Sequence, residues 1–409
     1  MSGFATKAIH GSVRPEPHGT LRPPLYDNVA FEFADSREIQ LAFEGRKPAH
    51  AYSRISNPTV DEFEQRIRLL SDALGVIAVS SGMAAISNVL LALGGTGTNI
   101  VATRSVFGNT YSLFEHTFKP WGLNTTYVDM SDNAAIAAAI NEQTRAVFIE
   151  IITNPQLQVV DIAEIAHLAH ERNVPLVLDG TLTTPYLFRS KDYGVDIEVI
   201  SSTKYISGGA TSVGGLILDN GIFDWKKNPK LGALAKKFGP GALMTMLRRE
   251  VYRNVGACLS PHNAFLQTLG LETLSLRVDK SCANARALAE WLQKHPKVVA
   301  VNYPGLDSSP SYSLAQRQFP RGVGGILTFE LENRDQCFAF QNALKLVRRA
   351  TNVNDNKTLT LHPASTIFCE YSSDEKAAMG VSDSMLRISV GIEDIEDIIE
   401  DFERGTAAI

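Results

Sequence analysis

The sequence contains little cysteine and no long apolar run, and each absence excludes a class of protein. Its 409 residues include four cysteines, Cys258, Cys282, Cys337 and Cys369, with no CxxC pair and no regular spacing. We therefore expect neither a disulfide framework nor a cysteine-based metal site, and we interpret the thiols as buried or idle groups. No apolar stretch approaches the roughly 20 residues that span a bilayer.

The charge distribution and the absence of several motifs disfavour further classes of partner and enzyme. The formal net charge is −5, and Lys and Arg are spread along the chain, which disfavours nucleic acid or a membrane surface as a partner. The N-terminal segment lacks the apolar core of a secretory signal, so a cytoplasmic protein is expected. The P-loop, GxGxxG, GxSxG and HExxH motifs are missing, which disfavours nucleotide, dinucleotide, serine-hydrolase and zinc-protease chemistry.

Hydrophobic patterning predicts an α/β protein with a mostly parallel central sheet. Short apolar strands alternate with helices through the middle of the chain, as in sheets built from crossover connections. The predicted strands lie at 76–81, 99–107, 145–152, 175–180, 196–205 and 212–220, and the clearest predicted helices at 57–75, 161–173 and 262–295. Asp161 is suited to cap the helix at 161–173.

Three regions are predicted along the chain. Residues 1–56 form an extended arm rich in Pro, Gly and His, residues 57–255 hold the central sheet, and residues 256–409 form a smaller α+β domain. The segment 237–244, KFGPGALM, fits either a mobile cover over a site or a connecting loop. Because ligands of parallel sheets bind beyond the carboxyl ends of the strands, the site is expected at that edge.

Three segments place candidate residues at this edge. In SSTKYISGG (201–209), hydroxyls that can bind phosphate precede Lys204, and partial desolvation of that amine would lower its pKa. In LVLDGTLTTPYL (176–187), Asp179 ends an apolar strand, where a carboxylate needs a cationic partner such as the pyridinium ring of pyridoxal phosphate. In SSGMAA (80–85), Gly82 opens a helix whose N-terminus can bind an anion. Each residue also has a plainer interpretation. Lys204 could be a solvated surface lysine, Asp179 a helix cap or metal ligand, and Gly82 an ordinary helix start.

Together these segments resemble the Cys/Met-metabolism family of pyridoxal-phosphate enzymes, the cystathionine gamma-synthase-like branch of fold type I. The resemblance covers nearly the whole chain. It is carried by seven motifs in order, YSRISNPT (52–59), SSGMAA (80–85), TNPQLQVVDI (153–162), LDGTLTTPYL (178–187), SSTKYISGG (201–209), LSPHNAF (259–265) and HPAST (362–366). The resemblance implies a pyridoxal-phosphate-binding domain at 57–255, with the smaller domain following it.

The resemblance also implies roles for individual residues. Lys204 matches the catalytic lysine that carries the cofactor as a Schiff base, and Asp179 matches the partner of the ring nitrogen. Arg387 matches the arginine that binds the substrate carboxylate, a contact that a guanidinium makes better than an ammonium. Asn154 and Asn352 are further substrate contacts. The remaining cofactor contacts are Ser81, Gly82, Met83, Phe107, Asn154, Thr181, Ser201 and Thr203.

Two residues of the arm, Tyr52 and Arg54, match residues that reach the phosphate of a neighbouring subunit. The resemblance thus implies a homotetramer in which pairs of subunits share active sites. One position departs from the family pattern: Phe107 stands where a tyrosine is usual, so its ring can stack on the cofactor but cannot move a proton. The location of the Tyr111 hydroxyl, four residues on, is left open.

The segments 247–277 and 350–366 resemble the O-acetylhomoserine sulfhydrylase branch. The implied reaction is γ-replacement, in which O-acetyl-L-homoserine and sulfide, or another sulfur donor, give L-homocysteine and acetate. The alternatives are a γ- or β-lyase of methionine, cystathionine or homocysteine, a cystathionine gamma-synthase, and a weakly active paralogue suggested by Phe107. The sulfur donor and the activating group on homoserine, acetyl, succinyl or phosphoryl, stay open.

Overall fold

A seven-stranded sheet forms the centre of the computed structural model, which describes residues 3–11 and 19–409. The strand order is β1-β7-β6-β5-β4-β2-β3. Strand β7 is antiparallel to both neighbours, and the other pairs are parallel. The strands are β1 (Gly75–Val79), β2 (Thr98–Ala102), β3 (Leu123–Tyr127), β4 (Thr144–Glu150), β5 (Leu176–Asp179), β6 (Ile197–Ile200) and β7 (Gly215–Asp219).

A second, smaller sheet has the order β10-β11-β12-β9-β8 and is antiparallel except between β10 and β11. Its strands are β8 (Ala300–Asn302), β9 (Ile326–Glu330), β10 (Arg348–Arg349), β11 (Leu359–Leu361) and β12 (Met385–Ser389). The helices before it are α1 (Phe4–His10), α2 (Ser36–Phe43), α3 (Pro58–Ser71), α4 (Gly82–Leu93), α5 (Gly108–Ser112), α6 (Asn133–Ala139), α7 (Ile162–Glu171), α8 (Thr184–Leu187), α9 (Gly232–Phe238), α10 (Ala242–Met246), α11 (Tyr252–Val255), α12 (Pro261–Glu272) and α13 (Leu274–Lys294). Those that come later are α14 (Tyr312–Gln318), α15 (Arg334–Ala343), α16 (Ser373–Ala378) and α17 (Ile395–Ala407).

Helices cover both faces of the large sheet, which explains why its strands are continuous apolar runs. In β1, Ile77 and Val79 belong to the core cluster of α4, whereas Val76 and Ala78 belong to the cluster of α3. Because side chains alternate across a strand, β1 packs against the helices on both faces of the sheet. The central strands are therefore fixed in register, and so are the residues just beyond their carboxyl ends.

The predicted α/β class, with a mostly parallel sheet and a smaller second sheet, is confirmed. The predicted strands at 99–107 and 196–205 were too long, because the chain turns after Ala102 and Ile200. The predicted helix at 57–75 ends at Ser71, where Asp72 takes a left-handed conformation (φ 58°). Gly75 is instead the first residue of β1. Asp161 caps α7 as predicted, its side chain accepting from the Glu164 backbone N–H.

The N-terminal segment is not extended throughout, because it contains helices α1 and α2. Arg66 of α3 donates to the carbonyls of Ala8 and Ile9, both at 3.0 Å, which fixes α1 against α3. Residues 1–2 and 12–18 of the predicted arm lie outside the described residues. The segment 237–244 continues from α9 into α10. The boundaries near residues 56 and 255 stay predictions. Across the described ranges, no helix has both the length and the apolar character needed to cross a membrane.

Candidate active site

A cavity of about 210 Å³ lies at the carboxyl edge of the large sheet, where the sequence predicted a site. Strands β4 and β5, the turn after β6, the N-terminus of α4 and strand β12 of the small sheet all contribute to it. The cavity is lined by Ser81, Gly82, Met83, Ile86, Phe107, Thr110, Glu150, Ile152, Asn154, Asp179, Thr181, Leu182, Ser201, Thr203, Lys204, Thr351, Val353 and Arg387. Segments far apart in sequence thus meet at one place.

Lys204 follows β6 in a turn that directs its amine into the cavity. Its Nζ donates to Oδ1 of Asn352 at 2.6 Å. Burial, together with the positive charge of Arg387, lowers the pKa of this amine to about 8, although Asp355 opposes the shift. A substantial fraction of the amine is therefore neutral near physiological pH, as proton transfer by lysine requires.

Two carboxyl groups lie side by side in the wall of the cavity. Glu150 and Asp179 are paired across β4 and β5, so their side chains leave the same face of the sheet. Burial raises the pKa of both groups, and the neighbouring Asp179 raises the pKa of Glu150 further. Asp179 accepts from the Thr181 backbone N–H at 3.0 Å, and Glu150 accepts from the Phe107 N–H. No cation among the described residues pairs with Asp179.

Sequence reasoning missed Glu150, although a signal was present. It is a single acidic residue at the carboxyl end of the apolar strand RAVFIE, the same pattern that singled out Asp179. Its hydrogen bond to the Phe107 amide holds the start of α5 against the sheet. Glu150 is therefore part of the wall that positions Phe107.

The N-terminus of α4 and the turn after β6 form a cradle suited to an anion. Ser81 caps α4 by accepting from the Ala84 N–H at 3.0 Å, and the first amides of the helix point toward the cavity. A methyl group on Gly82 would lie 2.7 Å from Cβ of Ser201. Thr203 shares two hydrogen bonds with the backbone of Gly214, at 3.0 and 3.1 Å, which fixes its hydroxyl.

Arg387 enters the cavity from the small sheet. It is 2% exposed, donates to Oδ1 of Asn154 at 3.2 Å and to the Asn352 carbonyl at 3.3 Å, and leaves its Nε without a partner. Burial lowers its pKa to about 10, so the guanidinium stays charged at neutral pH. No carboxylate of the described residues forms an ion pair with it. A buried arginine with an unused donor is a binding point for an anionic group of a ligand.

The packing of the aromatic side chains shows where Tyr111 lies, which the sequence left open. Phe107 lines the cavity, whereas Tyr111 does not. The Tyr111 ring packs against Tyr127 and Tyr371, with ring centroids 5.5 and 5.6 Å away. The Tyr111 phenol therefore does not replace the hydroxyl that Phe107 lacks.

Two predicted cofactor contacts lie outside this cavity. Tyr52 and Arg54 are exposed, with Arg54 donating to the Arg253 carbonyl at 2.5 Å and lying 5.5 Å from the Tyr52 ring centroid. Asn352, a predicted substrate contact, reaches the cavity through its bonds to Lys204 and Arg387. All the other predicted site residues line the cavity itself.

The fold and this site define an enzyme of amino-acid metabolism that works with pyridoxal phosphate. The chain belongs to the family of Cys/Met metabolism PLP-dependent enzymes, whose model matches residues 5–407. The predicted cofactor is thereby confirmed. The cavity suits it, because the uncompensated Asp179 carboxylate can pair with a pyridinium nitrogen and the cradle at Gly82 can take a phosphate.

Individual relatives are similar over almost the whole chain. A homocysteine synthase of Schizosaccharomyces pombe is 40% identical, over 98% of this chain and 97% of its own. An L-methionine gamma-lyase of Pseudomonas putida is 36% identical, over 100% of this chain and 98% of its own. A solved O-acetylhomoserine sulfhydrylase of Wolinella succinogenes is 49% identical with a TM-score of 0.79, covering 86% of this chain and 98% of that one.

Substituting Gly82→Ala should weaken cofactor binding. The added methyl group would collide with Ser201 and displace one side of the cradle, so we expect the dissociation constant for pyridoxal phosphate to rise roughly 10- to 100-fold. Titration of the cofactor-free protein with pyridoxal phosphate measures this. Gly95→Ala, near the other end of α4, is the matched control, because nothing lies within 4 Å of its added methyl group. Equal affinity in the two variants would contradict the placement of the phosphate.

Proposed function

We propose that this enzyme replaces the acetoxy group on the γ-carbon of O-acetyl-L-homoserine with sulfur, forming L-homocysteine and acetate. The observation that carries the proposal is a cavity with one mobile proton carrier, Lys204, and with phenylalanine at position 107. The similarity to a homocysteine synthase and to an O-acetylhomoserine sulfhydrylase supports it.

Substrate binding is assigned to the arginine of the small sheet. Arg387 can present its free Nε and its terminal nitrogens to the α-carboxylate, with Asn154 holding the guanidinium in place. Because the guanidinium is already buried, it has little water to lose when the carboxylate arrives. This contact fixes the amino acid at one end and directs its side chain along the cavity.

Proton transfer at the α-carbon is assigned to Lys204. When bound, pyridoxal phosphate withdraws electrons from the substrate, and this acidifies its α and β protons. The neutral Lys204 amine can accept such a proton and return it. Asp179 keeps the ring nitrogen protonated, and its own burial next to Glu150 makes a cation there especially favourable.

The leaving group receives little help from acids in the cavity. The titratable side chains that line it, among the described residues, are Glu150, Asp179, Lys204 and Arg387. Glu150 accepts from the Phe107 amide, Asp179 and Lys204 are assigned to the ring nitrogen and to the substrate's α and β protons, and Arg387 stays charged. Acetate leaves as a weak base without prior protonation, whereas a thiolate or an amine needs a proton. Phe107 therefore favours an acyl-activated substrate over a thioether.

A lyase reaction is the second candidate, favoured by the similarity to L-methionine gamma-lyase. In that case elimination would give 2-oxobutanoate and ammonia. The two candidates share Lys204, Asp179 and Arg387, and they differ in the steps after the leaving group has departed. The sulfur donor of the replacement reaction is sulfide or a sulfur carrier.

We further propose a cytoplasmic homotetramer in which two subunits complete each active site. All four cysteines are free, which suits a reducing compartment. Tyr52 and Arg54 are exposed and lie outside the cavity of their own chain. These two residues would then reach the phosphate in the neighbouring subunit's cavity, and the isolated chain would be incomplete.

The purified holoenzyme should form homocysteine from O-acetyl-L-homoserine only when sulfide is added. Lys204→Ala should lower turnover by roughly 10²- to 10⁴-fold, the contribution typical of a general acid–base residue, or more. Product analysis by mass spectrometry, with an assay for oxo-acids, measures both products. Formation of an oxo-acid without homocysteine would contradict γ-replacement and identify the enzyme as a lyase. Full activity of Lys204→Ala would contradict the role of the lysine.

Mixing two inactive variants should restore activity if subunits share sites. A hybrid of Arg54→Ala and Lys204→Ala chains contains one intact site in each mixed dimer, which predicts about half of wild-type activity for the isolated mixed dimer and about a quarter for a random mixture of dimers. Co-expression with two affinity tags isolates the hybrid for assay. A hybrid of Arg387→Ala and Lys204→Ala is the matched control, since both residues lie in one cavity and no intact site of this kind arises. Equal failure of both hybrids would contradict shared sites.

A further inference from the structure

A chain of three side chains leads from the cavity to the loop before β11. The Lys204 amine donates to Oδ1 of Asn352 at 2.6 Å, and Nδ2 of Asn352 donates to Oδ2 of Asp355 at 3.2 Å. Asp355 is itself held, since its Oδ1 accepts from the Lys357 backbone N–H at 3.1 Å. Asn352 thus lies between the lysine and a fixed carboxylate.

The chemistry of the two end groups decides how the amide is oriented. A carboxylate accepts hydrogen bonds only, and an ammonium group donates only. The amide nitrogen of Asn352 must therefore face Asp355, which leaves its oxygen toward Lys204. Without Asp355, the amide could rotate by half a turn and present its NH₂ group to the amine, which would remove the acceptor.

The same loop is tied to the substrate-binding strand. The Asn352 carbonyl accepts from Arg387 at 3.3 Å, and the Asn354 backbone N–H donates to the Ser389 hydroxyl at 2.7 Å. Asn354 has φ of 57°, a left-handed conformation that turns the loop sharply at this point. The loop therefore places the acceptor for Lys204 relative to the guanidinium of Arg387.

Charged groups reach Lys204 from several elements. Arg387 on β12 lowers the pKa of the amine, and Asp355 in the loop raises it. Glu150 and Asp179, from β4 and β5, line the same cavity. If the negative charge of Asp355 were lost, it would no longer offset the effect of Arg387 on the Lys204 amine. The proton affinity of the lysine nitrogen would therefore fall.

We propose that Asp355 is a positioning residue, which orients the Asn352 amide so that its oxygen holds the Lys204 amine for proton transfer. The proposal rests on the function proposed above, in which Lys204 carries the proton. Asp355 does not line the cavity, so it acts on the lysine through Asn352 and through its charge.

The test is a pH titration of the cofactor's visible absorption in the resting holoenzyme, which reports the proton on the Lys204 nitrogen. Asp355→Asn should shift this titration to lower pH and reduce kcat roughly tenfold, the effect of losing one hydrogen bond to a charged group. Asp355→Glu, which retains the charge, should titrate at a pH close to that of the wild type. Asp374→Asn removes an equal charge from the exposed start of α16 and should match the wild type.

Two results would overturn the proposal. One is an Asp355→Asn titration that coincides with that of the wild type. The other is an Asn352→Ala background in which Asp355→Asn still lowers kcat by the full factor, because an effect through Asn352 must be lost when Asn352 is absent. The titration needs no substrate, so it remains decisive even if the wild type forms no homocysteine.

Discussion

The burial of Asp179 beside Glu150 is the constraint on which the rest of the site depends. Two carboxylates on neighbouring parallel strands, deep in the protein, repel each other and lose hydration. A fold that keeps this pair must either hold a proton on it or place a cation against it. In the proposed assignment the pyridinium nitrogen of pyridoxal phosphate would supply that cation, and the charged ring is also needed for the chemistry. We therefore propose that the electrostatic cost of the uncompensated pair helps to hold the cofactor with its ring nitrogen protonated.

The topology explains why so few elements suffice to build this arrangement. Parallel strands β4, β5 and β6 end at one edge, so Glu150, Asp179 and the turn that carries Lys204 are neighbours. The N-terminus of α4 adds backbone donors at the same level. The small sheet closes the remaining side with Arg387 on β12. In the proposed function, the large sheet would thus serve cofactor binding and proton transfer, and the small sheet would anchor the substrate.

The positions of Asp179 and Lys204 at the sheet edge could be predicted from the sequence. Apolar strands ending in Asp179 and in SSTK produce local patterns, so their place at a sheet edge follows from periodicity alone. The contact between Lys204 and Asn352 joins residues 148 positions apart, and no local pattern reports it. The end of α3 was misplaced because the left-handed residue there is Asp72, whereas a glycine was the expected signal. The Tyr111 hydroxyl could not be placed, because the direction of its ring depends on packing against Tyr371, far along the chain.

The most direct test of this account compares the unfolding of the wild type and Asp179→Asn, with and without pyridoxal phosphate. Without cofactor, the variant should be the more stable by roughly 1–3 kcal/mol, because it removes an uncompensated buried charge. Since burial raises the pKa of Asp179, its ionisation destabilises the folded protein as pH rises, so this difference should widen as the pH rises above the unfolded-state value of about 4 and level off above the raised pKa of the folded state. With saturating cofactor, the wild type should gain more stability than the variant. Equal gains in both proteins, or a variant less stable in both conditions, would contradict the claim that Asp179 is buried to meet the charge of the cofactor.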